Sequence, residues 1–404
     1  HPCASALRDC AVSLLGARVQ AGSVFGFLLA GSTFLQLLVL PITGAIADRA
    51  QNKRALLGGF AFTGAAATCG LALIHGTSWA AGALLFALAN LCYYGSIVVY
   101  YAFLPEIAEP DLRDNVSAKG WAFGFLGGGV CLALNIALIQ AREPLGLTEA
   151  DAIRVCFVVC GVWWAVFTVI PLRRLTEHRA PLGPERGGAL ITAGFRQLGR
   201  TLVAARRLPI TLAFLAAFLI FIDGINTVAE TSALYGSQEL ALPVEVLTVT
   251  ILIVQFVAFG GGLAHGWLAA RIGAKRTILT SLAVWVVVVS AAYFVQAGQR
   301  LQFYGLALGI GLVLGGTAAM SRSLYSQLVP AGREAEYFAL YTLGERGTSW
   351  LGPLVFSLVA NATGSFRPAI VSLIAFLVVG LVLVAAVPVR RGIRAAGNPE
   401  PKLV

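Results

Sequence analysis

Two stretches of this sequence, 222 residues apart, share one pattern: Gly44-Ala-Ile-Ala-Asp-Arg-Ala-Gln-Asn-Lys-Arg54 and Gly266-Trp-Leu-Ala-Ala-Arg-Ile-Gly-Ala-Lys-Arg276. In each, a glycine opens the last turn of an apolar run, an arginine closes it, and a Lys-Arg pair follows. A second pair, Pro110-Asp-Leu-Arg113-Asp114 and Pro330-Ala-Gly-Arg333-Glu334, recurs at an offset of 220 residues. Two anchors at nearly one spacing mark an internal duplication, and repeats of this kind build several membrane-protein folds.

The sequence around these loops is apolar. Hydrophobic residues make up 58% of the chain and charged residues only 12%, whereas soluble domains carry about a quarter charged residues. A soluble surface cannot be covered with so few. About 20 apolar residues cross the hydrocarbon layer, and windows of that kind predict eleven spans. Five precede residue 173 (22–46, 55–75, 79–104, 118–140, 152–172). Six follow (208–230, 245–268, 277–297, 302–327, 336–361, 367–388). The expected layout is an all-α, polytopic membrane protein: a bundle over 1–172, a basic connector over 173–207 with Pro181, Pro184, Gly187 and Gly188, a six-helix bundle over 208–388 and a tail over 389–404.

Charge sets the orientation. Of the 29 Lys and Arg, 21 fall in the connector, the tail and the loops at 47–54, 105–119, 271–276 and 328–335. Six lie on the opposite side, and Arg322 and Arg346 fall inside spans. The positive-inside tendency places the basic side and the C-terminus in the cytoplasm, in a bacterial inner membrane. The same scatter of cations argues against nucleic acid, which calls for a clustered basic patch. Most of the seven cysteines lie within apolar spans and act as small apolar residues. Cys3 and Cys10 would pair only in an oxidising compartment. No metal set, cofactor motif or catalytic constellation is present, so an enzyme is not expected.

The repeat offset maps the span at 208–230 onto positions before residue 9. The first half is therefore expected to lack its first helix, through truncation or a misassigned start. With that helix restored, each half has six helices and both termini are cytoplasmic.

The Gly44 to Arg54 loop resembles the signature loop of the major facilitator superfamily; Ala270 departs from it where the second half would carry the Asp. Tyr101-Ala-Phe-Leu-Pro-Glu-Ile107, Ser117-Ala-Lys-Gly-Trp-Ala-Phe-Gly-Phe-Leu-Gly-Gly128, Asp223-Gly-Ile-Asn-Thr227, Gly315-Gly-Thr-Ala-Ala-Met-Ser-Arg-Ser323 and Arg346-Gly-Thr-Ser-Trp-Leu-Gly-Pro353 are similar to the vacuole-effluxer family related to autophagy-related protein 22. The resemblance runs from about residue 36 to 390. It implies two pseudo-repeated six-helix bundles, secondary transport of a small organic solute, and, from fungal members, efflux of neutral amino acids. It also implies that the first, fourth, seventh and tenth helices of the complete fold line the cavity.

Candidate residues follow. Gly44, Asp48, Arg49, Lys53 and Arg54, with Arg271, Lys275 and Arg276, either form a gate latch at the cytoplasmic ends of the helices, the arginines pairing with acids on neighbouring helices, or only set topology; Glu106, Arg113 and Asp114, with Arg333 and Glu334, are candidate partners across the interface. Asp223, Asn226 and Glu230 share a helical face. Asp223, near mid-membrane, is either a proton or solute site or a structural cap. Glu345 and Arg346 lie inside a span, with Asp223 one candidate partner for Arg346. Arg322 either binds an anionic group or snorkels to the interface. Asn90, Tyr93 and Tyr94 contact either a solute or neighbouring helices. Gln255 and Asn135 are read as helix–helix contacts. The expected protein is a monomeric, proton-coupled secondary transporter, with drug or amphiphile efflux, or a non-transporting receptor or scramblase, as alternatives.

Overall fold

The computed structural model describes residues 11–14, 17–50, 52–75, 78–175, 199, 203–204 and 206–404. Most of the connector and the Cys3 and Cys10 pair lie outside them, as does any helix upstream.

A short antiparallel hairpin, β1 (Ala11–Leu14) and β2 (Ala17–Gln20), leads into the helices. The first-half helices are α1 (Ala21–Arg49), α2 (Lys53–Gly70), α3 (Trp79–Ala102), the short α4 (Leu104–Ile107), α5 (Arg113–Gln140) and α6 (Glu149–Arg174). The second half holds α7 (Pro209–Leu234), α8 (Val244–Ile272), α9 (Ala274–Ala292), α10 (Arg300–Gln327), α11 (Glu334–Thr348), α12 (Leu351–Thr363), α13 (Phe366–Ser372), α14 (Ile374–Ala386) and α15 (Val389–Ala395). Local sequence sets several of the ends. Asn52 accepts from the Ala55 N–H at 2.8 Å and Thr148 from the Asp151 N–H at 3.2 Å, both as N-caps. Pro209 occupies the first turn of α7, where a missing N–H costs nothing.

Ten of the described helical stretches are long and apolar enough to cross a membrane. The expected span at 336–361 is instead two helices, α11 and α12, broken at Ser349 and Trp350. The reason is compositional. Glu334, Glu336, Glu345 and Arg346 make α11 too polar for a lipid-facing run, and most of its first nine residues are buried inside the protein.

The duplication is visible in three dimensions. A Cβ on Gly44 would stand 2.7 Å from the Ala335 carbonyl oxygen and 2.8 Å from Ala339 Cβ. A Cβ on Gly266 would stand 2.8 Å from Ala118 Cβ. Each glycine thus lets the helix before its loop meet a helix of the other half, α1 on α11 and α8 on α5. Small residues permit such backbone approach in membranes. The halves differ elsewhere. In the second, α7 packs on α14 and against α10, α11 and α12. In the first, the corresponding helices α3, α5 and α6, with α2, line an open groove of about 1100 Å3, walled by Ile97, Tyr100, Leu126, Trp163 and Phe167.

Candidate functional site

The duplicated loops sit at one end of the molecule, and the hydrogen bonds joining the halves gather there. Both Asp48 carboxylate oxygens accept backbone N–H groups of α11, from Ala335 and Glu336, at 2.9 Å each. Asp48 is therefore an N-cap supplied by the opposite half, and its charge faces the positive end of the helix dipole. Beside it, Ser323 donates to Asp114 at 2.6 Å, Ser117 donates to the Ala319 carbonyl at 2.6 Å, and Arg113 donates to the Ser326 carbonyl at 3.3 Å.

Other loop charges have contacts inside their own halves. Lys53 meets Glu106 at 2.5 Å, and Arg54 donates to the Leu175 carbonyl at the end of α6. Arg49 donates to the Ala45 carbonyl one turn back. Arg333 binds Glu336 at 2.7 Å on its own helix, next to the fully buried Glu334. In the second half Arg271 stacks on Trp267 at 3.7 Å. Lys275 donates to the Ala385 and Val387 carbonyls at 2.8 Å, and Arg276 is exposed. Cations at the last carbonyls of a helix are favourably placed. Ala270, standing where Asp48 stands in the repeat, has no carboxylate to cap α5, so the cross-half capping is one-sided.

Deeper in, a cavity of about 280 Å3 lies between the halves, at the lower edge of the range for small-molecule sites, about 300–1,000 Å3. Tyr101, Trp121 and Phe125 form its first-half wall, and Phe218, Tyr341, Asn226, Glu230 and Glu345 line it from the second. Asn226 donates to Glu345 at 3.5 Å. Trp121 Nε1 is buried with no hydrogen-bond partner, and so is Arg346 Nε on the residue after Glu345. Buried donors are costly to leave unpaired. The Arg346 guanidinium lies 4.0 Å from the ring centre of Tyr94, which meets Tyr93 edge to face at 5.0 Å. Asn90 donates to the Phe86 carbonyl of its own helix at 3.3 Å.

Arg322 does not snorkel. It is 4% exposed and donates to Ser117 Oγ and to the Ser117 carbonyl, both at 3.0 Å. Tyr101 stands 4.9 Å from it, with Tyr100 and Trp121 within 6.0 Å. Its cation is held by ring faces, and two of those rings, Tyr101 and Trp121, line the cavity. Asp223 is also placed differently from a cavity-lining acid, and it forms no ion pair with Arg346. Its Oδ2 accepts the Gly352 N–H at 2.7 Å, capping α12 at the break, while Oδ1 is buried without a partner. The broken helix itself, α11 into α12, could not be read from apolar periodicity. Its sequence signals are the charges of α11 and the run Gly347-Thr348-Ser349 before Trp350.

Two sets of helices, related by a repeat and enclosing a small aromatic and polar cavity with hydrogen bonds between them at one end, define a membrane transporter of the major facilitator type. The chain belongs to the Atg22-like vacuole effluxer family, whose model matches residues 1–397. Among relatives, the MFS-type transporter YxiO of Bacillus subtilis is 30% identical over 91% of this chain and 85% of its own length. Autophagy-related protein 22-1 of Penicillium rubens is 24% identical over 96% and 79%. Solved structures share the fold: the transporter FucP in its outward conformation gives a TM-score of 0.69 at 14% identity, covering 89% of each chain. A bacterial homologue of the iron transporter ferroportin gives 0.64 at 15% identity, covering 90% of each. The chain is thus a multi-pass membrane protein of a family that moves small solutes and is not enzymatic.

Proposed function

We propose that the cavity between the halves binds a small zwitterion, a neutral amino acid being the first choice, and that the protein exports it by alternating access. The carrying observation is the lining of that cavity. It pairs a carboxylate and amide (Glu345, Asn226) with buried unpaired donors at Trp121 and beside it at Arg346, among aromatic rings. An ammonium group suits Glu345, a carboxylate suits the N–H donors, and an apolar side chain suits Phe125, Phe218 and Tyr341. In this reading Glu345 and Glu230 exchange protons with the solute path, and Asp223 holds the α11–α12 break. The basic end and the C-terminus face the cytoplasm of a bacterial inner membrane, and one chain suffices for transport. Asp48, Arg113, Asp114 and Ser117 form the cytoplasmic latch, which opens when the halves rock.

Counterflow in proteoliposomes tests this. A panel of labelled amino acids should show saturable exchange for at least one apolar member. Glu345→Gln should reduce exchange by ten-fold or more and abolish its pH dependence. Absence of exchange for the whole panel, or full pH dependence in that variant, contradicts the reading. A second reading, efflux of amphiphiles, is favoured by one observation. A separate apolar cavity of about 340 Å3 between α7, α8, α9 and α10 shares Ala229, Glu230 and Leu314 with the central one. It predicts exchange of hydrophobic amines in place of amino acids.

A further inference from the structure

The basic end carries a second recess, apart from the solute cavity. It measures about 530 Å3 and lies where α9 and α14 leave the apolar layer, with α15 across it. Lys275, Arg276, Arg390, Arg391 and Arg394 converge on it, and Leu279 and Ala385 form part of its apolar wall. α15 is built for this position. Val389, Gly392 and Ile393 are buried, and a Cβ on Gly392 would stand 2.7 Å from Ile210 and from Leu328, so this face is pressed onto the bundle. Arg390, Arg391 and Arg394 are exposed on the other face.

The protein neutralises the recess only in part. Lys275 is engaged by the Ala385 and Val387 carbonyls, and Arg394 pairs with Glu400 at 2.6 Å. Arg276, Arg390 and Arg391 have no acidic partner among the described residues. Below the recess the helix surfaces are apolar and exposed. They run from Arg276 through Thr280, Ala283 and Val287 on α9, and through Leu383, Val382 and Val379 on α14. A basic rim above a lipid-facing apolar strip has the two-part chemistry of a phospholipid.

We propose that this recess binds the headgroup of an anionic phospholipid, its phosphate held by Arg276, Arg390 and Arg391 and its acyl chains lying along α9 and α14. Guanidinium groups match phosphate oxygens in pairs, and basic pockets where spans meet the cytoplasmic leaflet recruit anionic headgroups. The site stands independently of which solute the protein moves.

The test is thermal unfolding of the purified full chain in mixed micelles. Phosphatidylglycerol should raise Tm by about 3 °C over phosphatidylcholine, a shift of the size a modest ligand gives a chain this large. The R276Q/R390Q/R391Q variant should lose that difference, and inorganic phosphate alone should not produce it. Native mass spectrometry of the unaltered protein supplies a check free of any folding defect. Retained phosphatidylglycerol should fall about ten-fold at high salt, as expected for a screened contact, while phosphatidylcholine should not. Equal effects of the two lipids, an undiminished preference in the triple variant, or full reproduction by inorganic phosphate would each overturn the proposal.

Discussion

Three carboxylates, Asp48, Asp223 and Glu345, each have a different partner. Asp48 caps α11 from the other half through two 2.9 Å bonds. Asp48→Ala removes both and should weaken the closed basic end by about 1–2 kcal/mol, the upper range for a lost cap. In a cysteine-free background, Ser326→Cys should then become reactive to maleimide, because Ser326 is buried and its carbonyl accepts from Arg113 of the other half. Unchanged labelling would show that Asp48 does not hold the contact. Gly352 makes an equally specific demand. A Cβ there would stand 2.0 Å from Thr227 Oγ1 and 3.2 Å from the Asp223 carbonyl oxygen. Gly352→Ala should cost roughly 1–3 kcal/mol through overpacking, read as a lower Tm. Adding Thr227→Ala should recover part of it, since the nearest obstructing atom is then gone. Arg322 tests the ring-lined cation site: Arg322→Lys keeps the charge but loses the paired donation to Ser117, so transport should fall although the cation remains. Glu345 is the third carboxylate, and its amide partner Asn226 marks it as part of the cavity.

At the scale of elements, the most informative feature is the break between α11 and α12. A helix interrupted inside a membrane must satisfy its freed N–H groups, and Asp223 does this for Gly352. Asp223→Asn retains an acceptor oxygen and should keep Tm nearly unchanged. Asp223→Ala orphans a buried N–H and should cost about 1–3 kcal/mol. If the two variants unfold alike, the cap contributes nothing. Asp223 stands out in the sequence because a buried acid in an apolar run is expensive. What the sequence could not supply was the partner, since Gly352 is a backbone donor on a distant helix and no side-chain pattern announces it. The continuous spans were legible for a simpler reason: the length of an apolar run alone decides them. Arg322 was harder to read, because snorkelling and burial look identical until Ser117, Tyr100 and Tyr101 are placed around it.

Over the whole molecule, the duplicated loops predicted the two related halves, and Gly44 on Ala339 with Gly266 on Ala118 is that duplication expressed as packing. The loops at the basic end are legible in the sequence, and their hydrogen-bond partners are not. Lys53 and Lys275 have partners in their own halves, while Ser117 and Ser323, which no charge pattern flags, cross between them. Such hydrogen bonds depend on which helices touch, and loop sequence does not encode that. The resulting account is a transporter whose halves are joined at the basic end beneath a central cavity and part there once per cycle. The direct measurement is the distance between spin labels at Glu109→Cys and Ala331→Cys, exposed positions at that end of the two halves, in a cysteine-free background reconstituted in bilayers. The account predicts a short separation in the unaltered latch and a second, longer population that grows with Asp48→Ala and with transported solute. A single unchanging separation in all three conditions, in protein that still transports, would contradict it.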